Sequence, residues 1–149
     1  MASVSRDLLD AMLAPTPGRP AEEVFRAIPL PNRVRELTSI IGELYLDATN
    51  AAGNAGRCML AAVLLRRDII AMAGNEALTG LKPSISLAIM GEAADALVGM
   101  FGQEGAPSDR RRQIGHCIAE LCNSLSLVSA DTGKEFVKTV LNRLQPGVS

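Results

Sequence analysis

The chain has 149 residues, which is enough for one domain with a sizeable hydrophobic core. Its hydrophobic share of 48% and charged share of 21% are close to globular averages and exclude wholesale disorder. The formal net charge of −1 gives no global field that would attract nucleic acid or anionic lipid. Trp is absent and aromatic residues are rare, whereas Ala, Gly and Leu are frequent. Such side chains favour packed helices over strands.

An N-terminal arm with two short helices is predicted for residues 1–31. Ser5 can cap the first helix, and "APTPGRP", residues 14–20, is an extended linker because proline fixes φ. A second short helix covers residues 21–28 and ends at "IPLP". The apolar face of the first helix consists of Leu8, Leu9, Met12 and Leu13. We expect this face either to cover the molecule's own core or to bind a partner.

The second unit, residues 32–149, is predicted to be a helical bundle, and its first segment carries a continuous apolar seam. The positions at alternating spacings of three and four residues are Val34, Leu37, Ile41, Leu44, Ala48, Ala51, Ala55, Cys58, Ala62, Leu65, Ile69 and Met72. The small residues of this seam, Ala48, Ala51, Ala55, Cys58 and Ala62, predict a tight helix–helix or dimer contact. Ala61 is expected on the polar side of the same helix.

The length of this segment links the fold to the oligomeric state. Polar residues stay in register across "NAAGNAG", residues 50–56, which favours one helix over residues 32–73. The alternative is a hairpin that breaks at Gly53 and Asn54. An unbroken helix would be about 60 Å long, whereas a compact chain of this size has a radius of gyration of about 15 Å. Its exposed end would then need a second copy of the chain as a cover, so a homodimer is predicted.

Three further helices complete the predicted fold. Residues 84–101 have a broad apolar face, Ser108 or Asp109 caps the next helix, and the spacing of Thr132 and Glu135 indicates a last one. We therefore predict an all-α bundle of four to five helices. It has one long central helix, unbroken or interrupted, and the N-terminal arm.

The sequence predicts no membrane span, no cofactor and no metal site. The longest apolar run in the central helix, residues 58–65, lies between arginines and is too short to cross a bilayer. A structural zinc site takes four Cys or His ligands, and the chain has four such residues in all, with Cys117 and Cys122 on different helix faces. Together with Cys58, these cysteines are predicted to be reduced and largely buried, as in a cytoplasmic protein.

His116 is the only histidine, so any imidazole chemistry would depend on it. On a helix it shares a side with Gln113, Glu120 and Asn123. Cys117 points about 100° away and cannot form a nucleophile–base pair with it. We therefore predict a surface histidine and no catalytic residue.

The densest positive charge is "DRRRQ", residues 109–113, at a predicted helix N-terminus. Arginines at that end oppose the helix dipole. This unfavourable placement suggests that Arg110, Arg111 and Arg112 contact phosphate or the acidic surface of another protein. The alternative is a solvated face, since three consecutive side chains fan around a helix and cannot all meet one ligand.

The function predicted from these features is a non-enzymatic protein–protein interaction module: an adaptor, an inhibitor or a chaperone-like accessory factor. Its expected partner is another protein, together with a second copy of the chain. A nucleic-acid-associated regulator that uses Arg110, Arg111 and Arg112 is the first alternative. A small helical enzyme without a recognisable motif is the second.

Overall fold

The computed structural model describes residues 3–14, 19–47, 49, 51–74, 76–103 and 105–143. Within them the chain forms eight helices and no strand, which confirms the predicted all-α bundle. The helices are α1 (Arg6–Leu13), α2 (Arg19–Ala27), α3 (Leu30–Tyr45), α4 (Ala51–Met72), α5 (Glu76–Thr79), α6 (Pro83–Phe101), α7 (Ser108–Val128) and α8 (Ala130–Arg143). The predicted count of four to five bundle helices is too low, because the central helix is divided and the short α5 precedes the helix predicted over residues 84–101.

The helices α3, α4, α6 and α7 enclose the core of the bundle. The first, α3, packs against α4 and α6, and α7 packs against the same two helices. An ion pair of 3.2 Å joins Arg33 at the start of α3 to Asp68 near the end of α4, so these two helices run antiparallel. On the outside of this bundle, α8 packs on α7 and α1 packs on α4.

The favoured prediction of one helix over residues 32–73 is wrong, because the chain turns between α3 and α4. In this turn Asp47 Oδ1 accepts hydrogen bonds from the backbone N and the Oγ1 of Thr49, at 2.9 and 2.6 Å. A short polar side chain that binds nearby backbone in this way competes with helix continuation. The hairpin alternative is correct, although Gly53, where it placed the break, lies inside α4.

The hairpin also removes the argument for a homodimer. That argument depended on a helix too long for a globular monomer, and α3 and α4 instead cover each other. A second copy is no longer needed to shield the seam. The homodimer therefore stays a prediction, and an overlong helix no longer supports it.

Arg110, near the N-terminus of α7, stabilises the chain reversal between α3 and α4. It is only 2% exposed, and its Nη1 donates to the backbone carbonyls of Leu44 (2.7 Å) and Asp47 (2.6 Å). The last carbonyls of a helix lack intrahelical partners and carry partial negative charge. The guanidinium therefore caps α3, which offsets the cost of an arginine at the start of α7.

The apolar seam is buried as its spacing predicts, but on two antiparallel helices. Its fully buried members are Val34, Leu37, Ile41 and Leu44 in α3, and Cys58, Ala62, Leu65, Ile69 and Met72 in α4. Ala55 is half-buried, and Ala48 and the side chain of Ala51 lie outside the described part of the structure. The carbonyl oxygen of Ala62 lies 3.6 Å from Cys117 Sγ on α7. The tight helix–helix or dimer contact at the small seam residues stays a prediction.

The expectation that Ala61 lies on a polar side is wrong. Its side chain is fully buried beside the seam. The reason is that neighbours cover α4 on three sides, namely α3, α7 and the arm helix α1. The seam spacing indicates one contact face, but more than one face of α4 is buried.

Candidate functional site

The first helix of the arm packs on the molecule's own bundle. Ser5 caps it as predicted, accepting a hydrogen bond of 3.1 Å from the backbone N of Leu8. Among the predicted partner-binding residues Leu9 is fully buried, Leu8 and Met12 are half-buried, and Leu13 is exposed. Of the two expectations for this face, the structure therefore favours cover for the core, and only Leu13 offers a large apolar surface to a partner.

Ion pairs tie the arm to the bundle near the α3–α4 turn. Arg57 makes two hydrogen bonds to the carboxylate of Asp10, at 2.8 and 2.6 Å, and Arg6 lies 3.0 Å from Asp47. The hydrogen bond from Arg57 lowers the pKa of Asp10. The pKa of Asp47 is also lowered, chiefly by its hydrogen bonds from Thr49. The arm is thus held by charge as well as by Leu9.

The three arginines of "DRRRQ" do not share one surface. The prediction that Arg110 faces a partner is wrong, because the side chain is buried against α3. Arg111 and Arg112 are exposed and line a concave surface of about 370 Å³ together with Phe101 and His116. The Arg111 guanidinium lies 4.7 Å from the centroid of the Phe101 ring, a cation–π distance. We call Arg111, Arg112 and His116 the arginine patch, and its binding of a partner stays a prediction.

A row of large apolar side chains on α4 was missed by the sequence analysis. Met59, Val63 and Ile70 are 53%, 39% and 57% exposed. Their helical positions place them on one face. Arg66 lies on the same face between Val63 and Ile70, and Arg67 lies on the side towards the arm. We call Met59, Val63 and Ile70 the α4 row.

The sequence does contain a signal for the α4 row. Between residues 58 and 65 every residue is apolar, so α4 is hydrophobic around its whole circumference there. Such a helix is either buried on all sides or leaves one apolar face for another molecule. The seam spacing accounts for only one face, and only the packing shows which remaining positions are covered.

The cysteines and the histidine take the predicted environments. All three cysteines are free, with Cys58 and Cys117 buried and Cys122 half-buried. Burial raises the pKa of Cys58 to about 11 and that of Cys117 to about 12, so neither thiol ionises near neutral pH. His116 is exposed, as predicted. Within the described ranges, no three His, Cys, Asp or Glu side chains lie close enough to share a metal ion.

One helix among the described residues, α6, is long and apolar enough to cross a membrane by length and composition alone. Buried helices of soluble proteins satisfy the same criterion, and α6 packs against α3 and α7. This is weak support for a membrane span. The predicted lack of membrane association stays a prediction.

Comparison of the chain with protein-family models, curated proteins and solved structures found no match.

Proposed function

We propose that the protein is a non-enzymatic module that binds another protein through the α4 row, as an adaptor, inhibitor or chaperone-like accessory factor. The observation that carries this proposal is the exposure of Met59, Val63 and Ile70 on one face of a central helix. Clustered exposed apolar side chains mark interaction sites more often than singly scattered ones do. Methionine adapts its shape to different partners, which suits a docking surface.

The shape and charge around the α4 row favour an amphipathic helix as the partner element. Three apolar positions over three turns match the anchor spacing of helices that lie along a groove. Arg66 lies between Val63 and Ile70 on the same face, so an acidic residue at the facing position of the partner helix would be complementary. The raised pKa values of the buried thiols leave little nucleophilic character and support a binding role over cysteine chemistry.

Site-specific photo-crosslinking in the cells that produce the protein tests this proposal. A photoreactive residue at Val63 should give a discrete adduct with another protein, whereas one at Asp95, exposed on α6, should not. Ile70→Lys should abolish the Val63 adduct, and the free energy of unfolding should change by under about 0.5 kcal/mol because the side chain is largely exposed.

Two outcomes would contradict the proposal. Equal adducts from both positions would indicate non-specific contact. An adduct only at twice the chain mass of 15.7 kDa would assign the α4 row to a second copy of the chain and support the predicted homodimer instead.

The nucleic-acid alternative is supported by one observation, the stacking of Arg111 on Phe101 beside Arg112. Arginine and aromatic faces together are typical of surfaces that bind single-stranded nucleic acid. Binding of a mixed-sequence oligonucleotide would weaken steeply with salt, because phosphate contacts release counterions. Arg111→Gln and Arg112→Gln would flatten that slope. No measurable binding at low salt would exclude this function.

A further inference from the structure

A cleft between the arm and the bundle holds buried charged groups that neither the α4 row nor the arginine patch uses. Its volume is about 490 Å³, and its walls come from α1, α2, α3 and α4. The lining residues are Met12, Glu22, Phe25, Arg26, Arg33, Leu64, Arg67 and Asp68. The arm and the bundle therefore each supply part of one concave, partly open surface.

The floor of the cleft is an ion pair with incomplete hydrogen bonding. Arg33 Nε lies 3.2 Å from Asp68 Oδ2, yet neither of these buried atoms makes a well-aligned hydrogen bond. The Arg33 guanidinium also lies 5.4 Å from the centroid of the Phe25 ring. Burial raises the pKa of Asp68, and the charges of Arg33 and Arg67 oppose this shift. A buried donor in this state, such as Arg33 Nε, gains from an added acceptor.

The charges that line the cleft do not cancel. Three arginines face two carboxylates, which leaves one positive charge in excess. Arg33 is paired with Asp68, and Arg26 lies 3.9 Å from Glu22 in a weak, exposed pair. The excess charge therefore belongs to Arg67, at the rim. Below it, Met12, Phe25 and Leu64 provide an apolar wall.

We infer that this cleft binds a small organic carboxylate with an apolar body. The carboxylate would accept hydrogen bonds from Arg67, and the apolar body would lie against Met12, Phe25 and Leu64. Mostly apolar walls with a few fixed polar groups are the usual form of a small-molecule site. Because the walls come from both the arm and the bundle, an occupied cleft would also hold the arm in place.

Octanoate is a suitable probe, with octylammonium as the probe of opposite charge and equal length. Isothermal titration of the full chain should show octanoate binding at least about tenfold more tightly than octylammonium. Arg67→Gln should weaken octanoate binding by about tenfold, since one charge-assisted hydrogen bond is lost. Arg66→Gln, at the neighbouring position outside the cleft, is the matched control and should change affinity by less than about twofold.

Hydrogen exchange gives a second readout that does not depend on the variants. Saturating octanoate should slow exchange of the α2 amides, because α2 supplies part of the cleft wall. Equal affinity for the two probes, or an equal loss in Arg66→Gln and Arg67→Gln, would overturn the inference. So would the absence of binding at about 10 mM octanoate, roughly the weakest affinity that such a titration resolves. Ile70→Lys should leave octanoate binding unchanged. The cleft proposal and the α4-row proposal can therefore be contradicted separately.

Discussion

The bundle and the arm share one core but contribute to it unequally. In the bundle, α3, α4, α6 and α7 each pack against two of the others, and nine of the seam residues are fully buried. The arm contacts the bundle mainly through α1 on α4, whereas α2 packs chiefly on α1. The arm adds fewer buried side chains to the core, namely Val4, Leu9, Phe25 and Ile28. Partly exposed ion pairs add to this attachment.

This difference predicts two levels of stability in one chain. Apolar burial scales with covered area and is not weakened by electrostatic screening, whereas exposed ion pairs contribute little and are screened by salt. Segments with few buried contacts open at lower free energy than the core they rest on. We therefore expect the arm to detach before the bundle unfolds.

The largest expected effect comes from comparing two fully buried leucines, Leu65 in α4 and Leu9 in α1. Truncating a buried leucine to alanine costs about 2–5 kcal/mol. Leu65→Ala should lower the global free energy of unfolding by this amount in urea titrations. Leu9→Ala should instead speed hydrogen exchange in α1 and lower the global value by less. Equal global losses would show that arm and bundle unfold as one unit.

The cap that Arg110 places on α3 should be the next largest effect. Arg110→Met keeps the length of the side chain but removes the donor to the carbonyls of Leu44 and Asp47. Leaving buried acceptors unsatisfied should cost about 2–3 kcal/mol in the free energy of unfolding. Arg112→Met, at an exposed position, should change it by under about 0.5 kcal/mol. Similar losses in both variants would argue against a specific capping role.

The contact between α7 and α8 tests how tightly the outer helix is packed. A Cβ at Gly133 would clash with Ser126 Oγ and lie 2.7 Å from Ser126 Cα, so Gly133→Ala must move the two helices apart. Overpacking of this kind should cost about 1–3 kcal/mol. A Cβ at Gly99 of α6 meets nothing within 4 Å. Gly99→Ala should therefore stabilise by about 0.5–1 kcal/mol through helix propensity. If both changes stabilise, α8 is not held against α7.

The smallest expected effect is the pH and salt dependence of arm attachment. The pKa of Asp10 is lowered in the attached arm, so its contribution is present above its usual value near 3.8 and is lost as pH falls below that value. Asp10→Asn should raise the detached fraction by roughly two- to fivefold at low salt, and less at high salt. Protection factors of the α1 amides at pH 3 and pH 6, which divide out the intrinsic pH dependence of exchange, measure this. Lower protection at pH 6 than at pH 3 would contradict the assigned sign.

Much of the fold could be predicted because helices are coded locally. The three-four spacing, the Ser5 cap and the break at "IPLP" depend on residues a few positions apart. Most of the predicted linker at residues 14–20 lies outside the described residues, and α2 already begins at Arg19. These local signals predicted the helices near 84–101 and 108–128 and the buried positions of the seam. The exposure of His116 followed from the same periodicity. In the candidate sites the sequence also identified Arg111 and Arg112, but it missed the α4 row and the cleft.

The break in the central helix was decided by tertiary structure. An antiparallel hairpin keeps the same buried positions as a straight helix, so the spacing of the seam does not distinguish them. The difference depends on the turn at Asp47 and on Arg110, which reaches that turn from 63 residues further along the chain. Sequence determined which faces are apolar because periodicity is local. Tertiary structure alone determined which of these faces are covered. A face is covered only when another helix packs on it, and no local sequence pattern specifies where that helix lies.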